Sequence, residues 1–225
     1  MKKSLFILSI LILHLTSFAQ TSADYNYSIG IRAFTIMQMP KILDQTNQQD
    51  YAKVFGHGAM FKFNDKQISY RLAGNYYSDN LTLDNTCSTC EIASGRVTDY
   101  SFKIGFEKSF NYTKIQPYFA FDLGYRYNRF VGALDSKNIT VNSIGKMADA
   151  SKSGLVVSPV IGFKLNVLPQ LSIFAESSLD FFFSYEKQEI TQLNGASREV
   201  TTYKKLESLL NPVSAGIQFS LSNKN

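Results

Sequence analysis

Apolar and polar residues alternate with a period of two through eight stretches of this chain, the period that sends successive side chains to opposite faces of a β-strand. The stretches are Tyr25–Met37, Val54–Phe63, Gln67–Tyr77, Arg96–Phe110, Ile115–Val131, Gly154–Val167, Leu171–Tyr185 and a last one running from Val213 through Leu221 after an irregularity at Pro212. The fifth is the clearest, with Ile115, Phe119, Phe121, Leu123, Tyr125 and Tyr127 opposing Gln116, Ala120, Asp122, Gly124, Arg126 and Asn128. Short turns at Asn64-Asp65-Lys66, Asn111 to Lys114 and Leu168-Pro169-Gln170 alternate with four long polar connections. The last long connection contains Asn194-Gly195, the dipeptide favoured in two-residue hairpin turns, and with Glu186–Leu193 before it and Ala196–Lys204 after it predicts a β-ribbon projecting beyond the other strands. These features predict an all-β fold, an eight-stranded antiparallel up-and-down barrel.

Alternation by itself does not separate a barrel in lipid from a soluble one, because both alternate; what differs is which face is crowded and which is charged. Here the aromatic and aliphatic side chains crowd one face, while glycine recurs on the other at Gly30, Gly58, Gly105, Gly124, Gly162 and Gly216. That second face also carries Arg32, Lys62, Arg71, Lys103, Arg126 and Lys164 against Glu107, Asp122, Glu176 and Asp180. A soluble core rejects such a set, and buried charges persist only when paired and hydrogen-bonded. The pattern therefore predicts a transmembrane barrel whose narrow lumen holds a ladder of ion pairs, with an ion-selective pathway as the alternative. Several stretches reach the 9 to 11 or so residues that a tilted membrane strand needs. Tyr25, Tyr27, Phe110 and Tyr112 near the short turns, and Tyr76, Tyr100, Tyr127 and Phe130 near the long connections, are expected to form aromatic girdles. Short turns then face the periplasm and the long connections face outward.

Composition adds location. Lys2 and Lys3, the apolar run Leu5 to Leu15 and Ser17-Phe18-Ala19 before Gln20 read as a secretory signal peptide over 1–19, leaving 20–225 as a single barrel domain of 206 residues (225 − 19). The formal charge of +5 is too dispersed for nucleic-acid binding. Cys87 and Cys90 are the two cysteines; in an exported chain they are expected to form a small loop disulfide, the alternative being half of a zinc site that would need two more ligands. No phosphate-cradling glycine loop, metal quartet or calcium loop stands out, so no cofactor is expected.

The leader, the eight amphipathic strands and the glycine-aromatic pairs Gly105-Phe106, Gly124-Tyr125 and Gly162-Phe163 resemble the small bacterial outer-membrane barrels that include OmpX and the OmpA transmembrane domain. The resemblance extends over nearly all of residues 25–222, and the long final hairpin is most similar to the OmpX arrangement. It implies a non-enzymatic outer-membrane protein in contact with outer-membrane lipids, lipopolysaccharide and the outer-membrane assembly machinery, with protein or host-surface partners reached through the outer connections. Accessory secretion or small-solute passage is the alternative. A lipid-modifying enzyme is a weaker third reading, because it needs an activated hydroxyl and His57, the single histidine after the leader, has no serine two residues on. A Cys87→Ser change is expected to leave membrane insertion intact and to loosen one outer loop, measured as unchanged assembly with faster protease nicking near that loop.

Overall fold

The computed structural model describes residues 25–43, 51–65, 67–84, 91–136, 145–195 and 197–223. The predicted signal peptide and the Cys87/Cys90 pair lie outside the described residues. Eight strands form an antiparallel closed ring in chain order: β1 (Tyr25–Gln38), β2 (Tyr51–Asp65), β3 (Ile68–Asp84), β4 (Glu91–Ser109), β5 (Ile115–Ser136), β6 (Lys146–Leu168), β7 (Leu171–Gln192) and β8 (Arg198–Asn223). The ring closes where β1 pairs with β8 from Tyr25↔Asn223 to Ile36↔Val213.

Closure is staggered. Following paired residues from Ile29 through Phe61, Leu72, Ile104, Leu123, Val157 and Phe181 leads to Ser208, whereas Ile29 itself pairs with Phe219. The offset is 219 − 208 = 11 residues along β8, one of them absorbed where Pro212 and Val213 together face Ser177. A stagger of that size goes with strands tilted about 35–45° from the barrel axis. The irregularity read at Pro212 is therefore a bulge inside one continuous strand, a place where a proline without an N–H is tolerated. A second bulge sets Gly56 and His57 opposite Ala33, with Gly56 in the left-handed region at φ +60°.

In the half of the barrel next to the short turns, large apolar side chains point out and polar ones point in. Ile31, Tyr70, Phe102, Leu155 and Phe163 are among the exposed ones, while Lys62 and Glu107 are each 1% exposed. Inward rings lie against inward glycines: a Cβ on Gly162 would sit 2.5 Å from the Tyr118 ring, and one on Gly216 would sit 2.6 Å from the Phe174 ring. That contact explains glycine on the inner face, since a ring of eight strands leaves an interior that side chains nearly fill.

Above this belt the polarity reverses. On β4, Asp99, Ser101 and Lys103 face inward, but further up the inward positions are Ala93 and Val97; on β5, Asp122 and Arg126 give way to Phe130 and Leu134. These residues join Met37, Val54, Tyr77, Ala148 and Ala150 in one buried apolar cluster, and Met39 and Ile42 from the segment after β1 tuck into it. Charged and hydroxyl residues such as Arg129, Asp149 and Lys187 occupy the outer face at that level. The upper part is thus built like a water-soluble β-structure.

This reversal accounts for the differences from the sequence reading. Strands expected to end near Tyr77 and Val131 continue to Asp84 and Ser136, and those expected to begin near Val54, Arg96 and Gly154 begin at Tyr51, Glu91 and Lys146; the hairpin expected beyond Tyr185 is the upper part of β7 and β8, which run without a break to Gln192 and from Arg198. The projecting ribbon is six strands wide, β3 to β8, instead of the final hairpin alone: pairing of β2 with β3 stops at Gly58↔Asn75, while β3 to β8 stay paired to their upper ends. Phe130, expected in the outer aromatic girdle, is 0% exposed and points inward, because it lies an odd number of positions from the outward Tyr127. Asn194-Gly195 is also not a two-residue turn. The Gln192 N–H donates to the Ser197 carbonyl at 3.1 Å and the Gly195 N–H to the Gln192 carbonyl at 2.8 Å; Gly195 has φ +72° and Asn194 a negative φ, so the primed turn that needs both positive is ruled out.

A Gly162→Val substitution is expected to cost about 1–3 kcal/mol by pushing against Tyr118 and the β7 backbone. Urea unfolding from lipid vesicles, read as a lower midpoint at unchanged slope, checks it.

Candidate functional site, a buried ion network in the lumen

All ten charged residues singled out from the sequence are buried inside the ring. They come together because inward positions on each strand recur every second residue and the stagger brings distant strands level. Glu107 on β4 accepts from Lys62 on β2 at 2.5 Å and from Lys164 on β6 at 2.7 Å. Arg71 on β3 spans three acids, reaching Glu107 at 3.5 Å, Asp122 at 3.0 Å and Glu176 at 3.2 Å. Glu176 on β7 also accepts from Arg32 on β1 at 2.6 Å and from the Tyr118 hydroxyl at 3.1 Å. Lys103 donates to Asp180 at 2.8 Å and to the Ser158 hydroxyl at 2.8 Å.

Several members were not singled out beforehand. Asp99 accepts from Arg126 at 2.9 Å and from the Asn128 amide at 2.8 Å. Its position two residues before Ser101 on the same inward face was a legible signal. Tyr118 lies under both Lys62 and Lys164, with the ammonium groups 5.5 and 5.3 Å from its ring centroid. Higher up, Lys152 bridges Glu186 at 3.1 Å and Glu207 at 3.0 Å and donates to the Lys41 carbonyl, while the Lys41 N–H donates to Glu207 at 3.2 Å. These contacts hold the Met39–Ile42 segment inside the barrel mouth. Sequence reading placed Lys152 in a loop and Glu186 at the start of the projecting hairpin, and nothing local marked either side chain as inward.

Among the described residues, seven buried cations (Arg32, Lys62, Arg71, Lys103, Arg126, Lys152, Lys164) face six buried anions (Asp99, Glu107, Asp122, Glu176, Asp180, Glu186), a net of one positive charge. Removing charges from water costs several kcal/mol each, and near-balance with multiple hydrogen bonds per group offsets that cost. Between the lower ion pairs and the apolar cluster lies a cavity of about 60 Å³, lined by Arg32, His57, Asp99, Arg126 and Asp180 among others. At about 10–15 Å³ per water this holds a few waters and nothing larger. His57 sits on the β2 bulge, partly buried, and no serine is hydrogen-bonded to it among the described residues.

Outside the barrel, above the tyrosines, Arg129 meets Asp149 through two bonds of 2.9 and 2.6 Å, and Arg198 meets Glu189 at 2.7 Å. The hydrogen bond from Arg129 holds the Asp149 carboxyl below its ordinary range, and the one from Arg198 does the same for Glu189. Among the described residues no group of three or more His, Cys, Asp or Glu is placed to hold a metal ion.

No family model matches the chain, and no curated protein matches it. Among solved structures, the crystal structure of a major outer membrane protein from Thermus thermophilus is similar, with TM-score 0.53 and 12% sequence identity over 87% of this chain and 99% of that one. At that identity the likeness speaks for the fold: an all-β, eight-stranded antiparallel up-and-down closed barrel.

Replacing Glu107 by Gln strands Lys62 and Lys164 in the interior and is expected to cost about 3–5 kcal/mol, whereas Asp149→Asn, which breaks a solvent-exposed pair, is expected to cost at most about 1 kcal/mol. Equilibrium unfolding of both variants in the same vesicles gives the comparison.

Proposed function

We propose that this chain is a small outer-membrane β-barrel, exported by its amino-terminal leader and inserted by the outer-membrane assembly machinery, which acts without catalysis by presenting its projecting ribbon at the cell surface. One observation carries the reading: the lower wall is apolar outside and ionic inside, and the polarity inverts above the tyrosine row. An apolar wall of that kind needs a hydrocarbon surround, and a closed ring satisfies every strand edge there. The inverted upper part needs water around it. Together they support a barrel set across a bilayer with six strands standing in the aqueous phase.

Two further observations favour surface presentation over passage of a solute. The lumen is occupied by the ion network below and by the apolar cluster above, with a cavity of about 60 Å³ between them. The ribbon extends the sheet well past the membrane, as in OmpX-like barrels, and offers its outer β3 and β8 edges and its outer face to a partner.

Reconstitution into planar bilayers is expected to give no steady conductance, and the folded protein in detergent is expected to migrate faster on gels before boiling than after. Discrete channel steps at single-protein density would transfer the assignment to solute passage; a leaderless chain that stays monomeric in water without detergent would end the membrane reading altogether.

A further inference from the structure

The outer face of β5, β6, β7 and β8 carries a basic shelf at and just above the tyrosine row, apart from the ion network in the lumen. Pairing places Tyr127, Ser153, Tyr185 and Lys204 in one row across the four strands, and Arg129, Ser151, Lys187 and Thr202 in the row above. A groove of about 140 Å³ runs between Tyr127, Arg129, Ser151 and Lys187, with Asp149 and Glu189 on its upper side.

The charges here are unevenly matched. Asp149 is engaged by Arg129, and Glu189 by Arg198 at 2.7 Å. That leaves Lys187, whose ammonium is 3.9 Å from Glu189, and Lys204, for which no partner occurs among the described residues. Around the groove four cations (Arg129, Lys187, Arg198, Lys204) outnumber two acids (Asp149, Glu189), with Asp135 further up β5 as the next acid on this face. The ion pairs to Asp149 and Glu189 also fix the Arg129 and Arg198 side chains, so that the cost of ordering them is met before any ligand arrives.

We infer that this shelf binds the phosphate of a phosphorylated glycolipid in the outer leaflet, an inference that rests on the transmembrane reading above. The height of the shelf selects the ligand. Tyrosines sit at headgroup level in membrane barrels, so the row directly above them meets lipid phosphates rather than acyl chains or bulk solution. The chemistry agrees: Arg129 offers planar guanidinium donors, Lys187 and Lys204 offer ammonium charge, and Ser151 and Ser153 offer hydroxyls beside them. The acyl chains of such a lipid run down past Tyr127 onto exposed Tyr125, Leu155 and Phe183 in the belt.

The test uses the full-length protein folded in detergent micelles and probed with bis-phosphorylated lipid A, with its dephosphorylated form, and with inorganic phosphate as competitor, bound lipid being counted by native mass spectrometry. Wild type is expected to retain the phosphorylated lipid about tenfold better than the dephosphorylated one, and the Lys187→Glu/Lys204→Glu double variant to lose that preference. A Lys53→Glu variant, which makes the same kind of charge change on β2 away from the shelf, is expected to keep it. Equal retention of both lipids by wild type, or full retention of the preference by the double variant, overturns the proposal. Complete displacement by millimolar inorganic phosphate also overturns it, in favour of a free-phosphate site. Gel mobility before and after boiling, run on the same samples, reports whether the barrel has folded, so a failure of the transmembrane reading is told apart from a failure of the lipid site.

Discussion

Charge pairing across the lumen is what the rest of this barrel depends on. A ring of eight tilted strands encloses a space that side chains must nearly fill, and the outer wall has already taken the large apolar residues. The interior is therefore filled with arginine, lysine, aspartate and glutamate, groups that are costly to bury singly and tolerable when each meets several partners. Arg71 reaching three acids and Glu107 meeting three cations are the direct expression of that constraint. Because the partners come from all eight strands, the network also ties strands that do not adjoin, including Arg32 on β1 with Glu176 on β7.

The same constraint shapes the apolar residues inside. Tyr118 and Phe174 fill volume between the ion pairs, and they fit because Gly162 and Gly216 leave room where a Cβ would collide. Tyr118 does more than fill, since it hydrogen-bonds Glu176 and receives two ammonium groups over its ring. Packing density and electrostatic balance are thus met by the same residues.

On the proposed transmembrane reading, the polarity of the strands inverts where the surround changes from hydrocarbon to water. The strands keep their pairing and their period of two, yet the inward side becomes apolar at Ala93, Val97, Phe130 and Leu134. The Met39–Ile42 segment completes that cluster and is held by Lys152 and Glu207. One continuous set of strands therefore carries two opposite amphipathic patterns. The basic shelf lies near the level where they meet, and the projecting ribbon continues above it.

Most of the lower barrel was legible from the chain alone, because alternation is a local property: Ile115 to Asn128 announces which side chains go in and which go out wherever the strand ends up. The ten lumen charges were legible for the same reason, and Asp99 was open to the same parity argument. Apart from the final hairpin the upper strands were not, because Lys152 and Phe130 lie where the apolar side changes face, and a periodicity read as apolar-outward breaks off there. Nor did alternation tell which charge meets which. Arg32 finds Glu176, and Arg71 finds Glu107, Asp122 and Glu176, only through the stagger of 11 residues on closing the ring, and that offset is set by hydrogen bonding between strands far apart in sequence. The order of residues decided the two faces of each strand; three-dimensional closure decided the partners, since register is a relation between strands and no single strand encodes it.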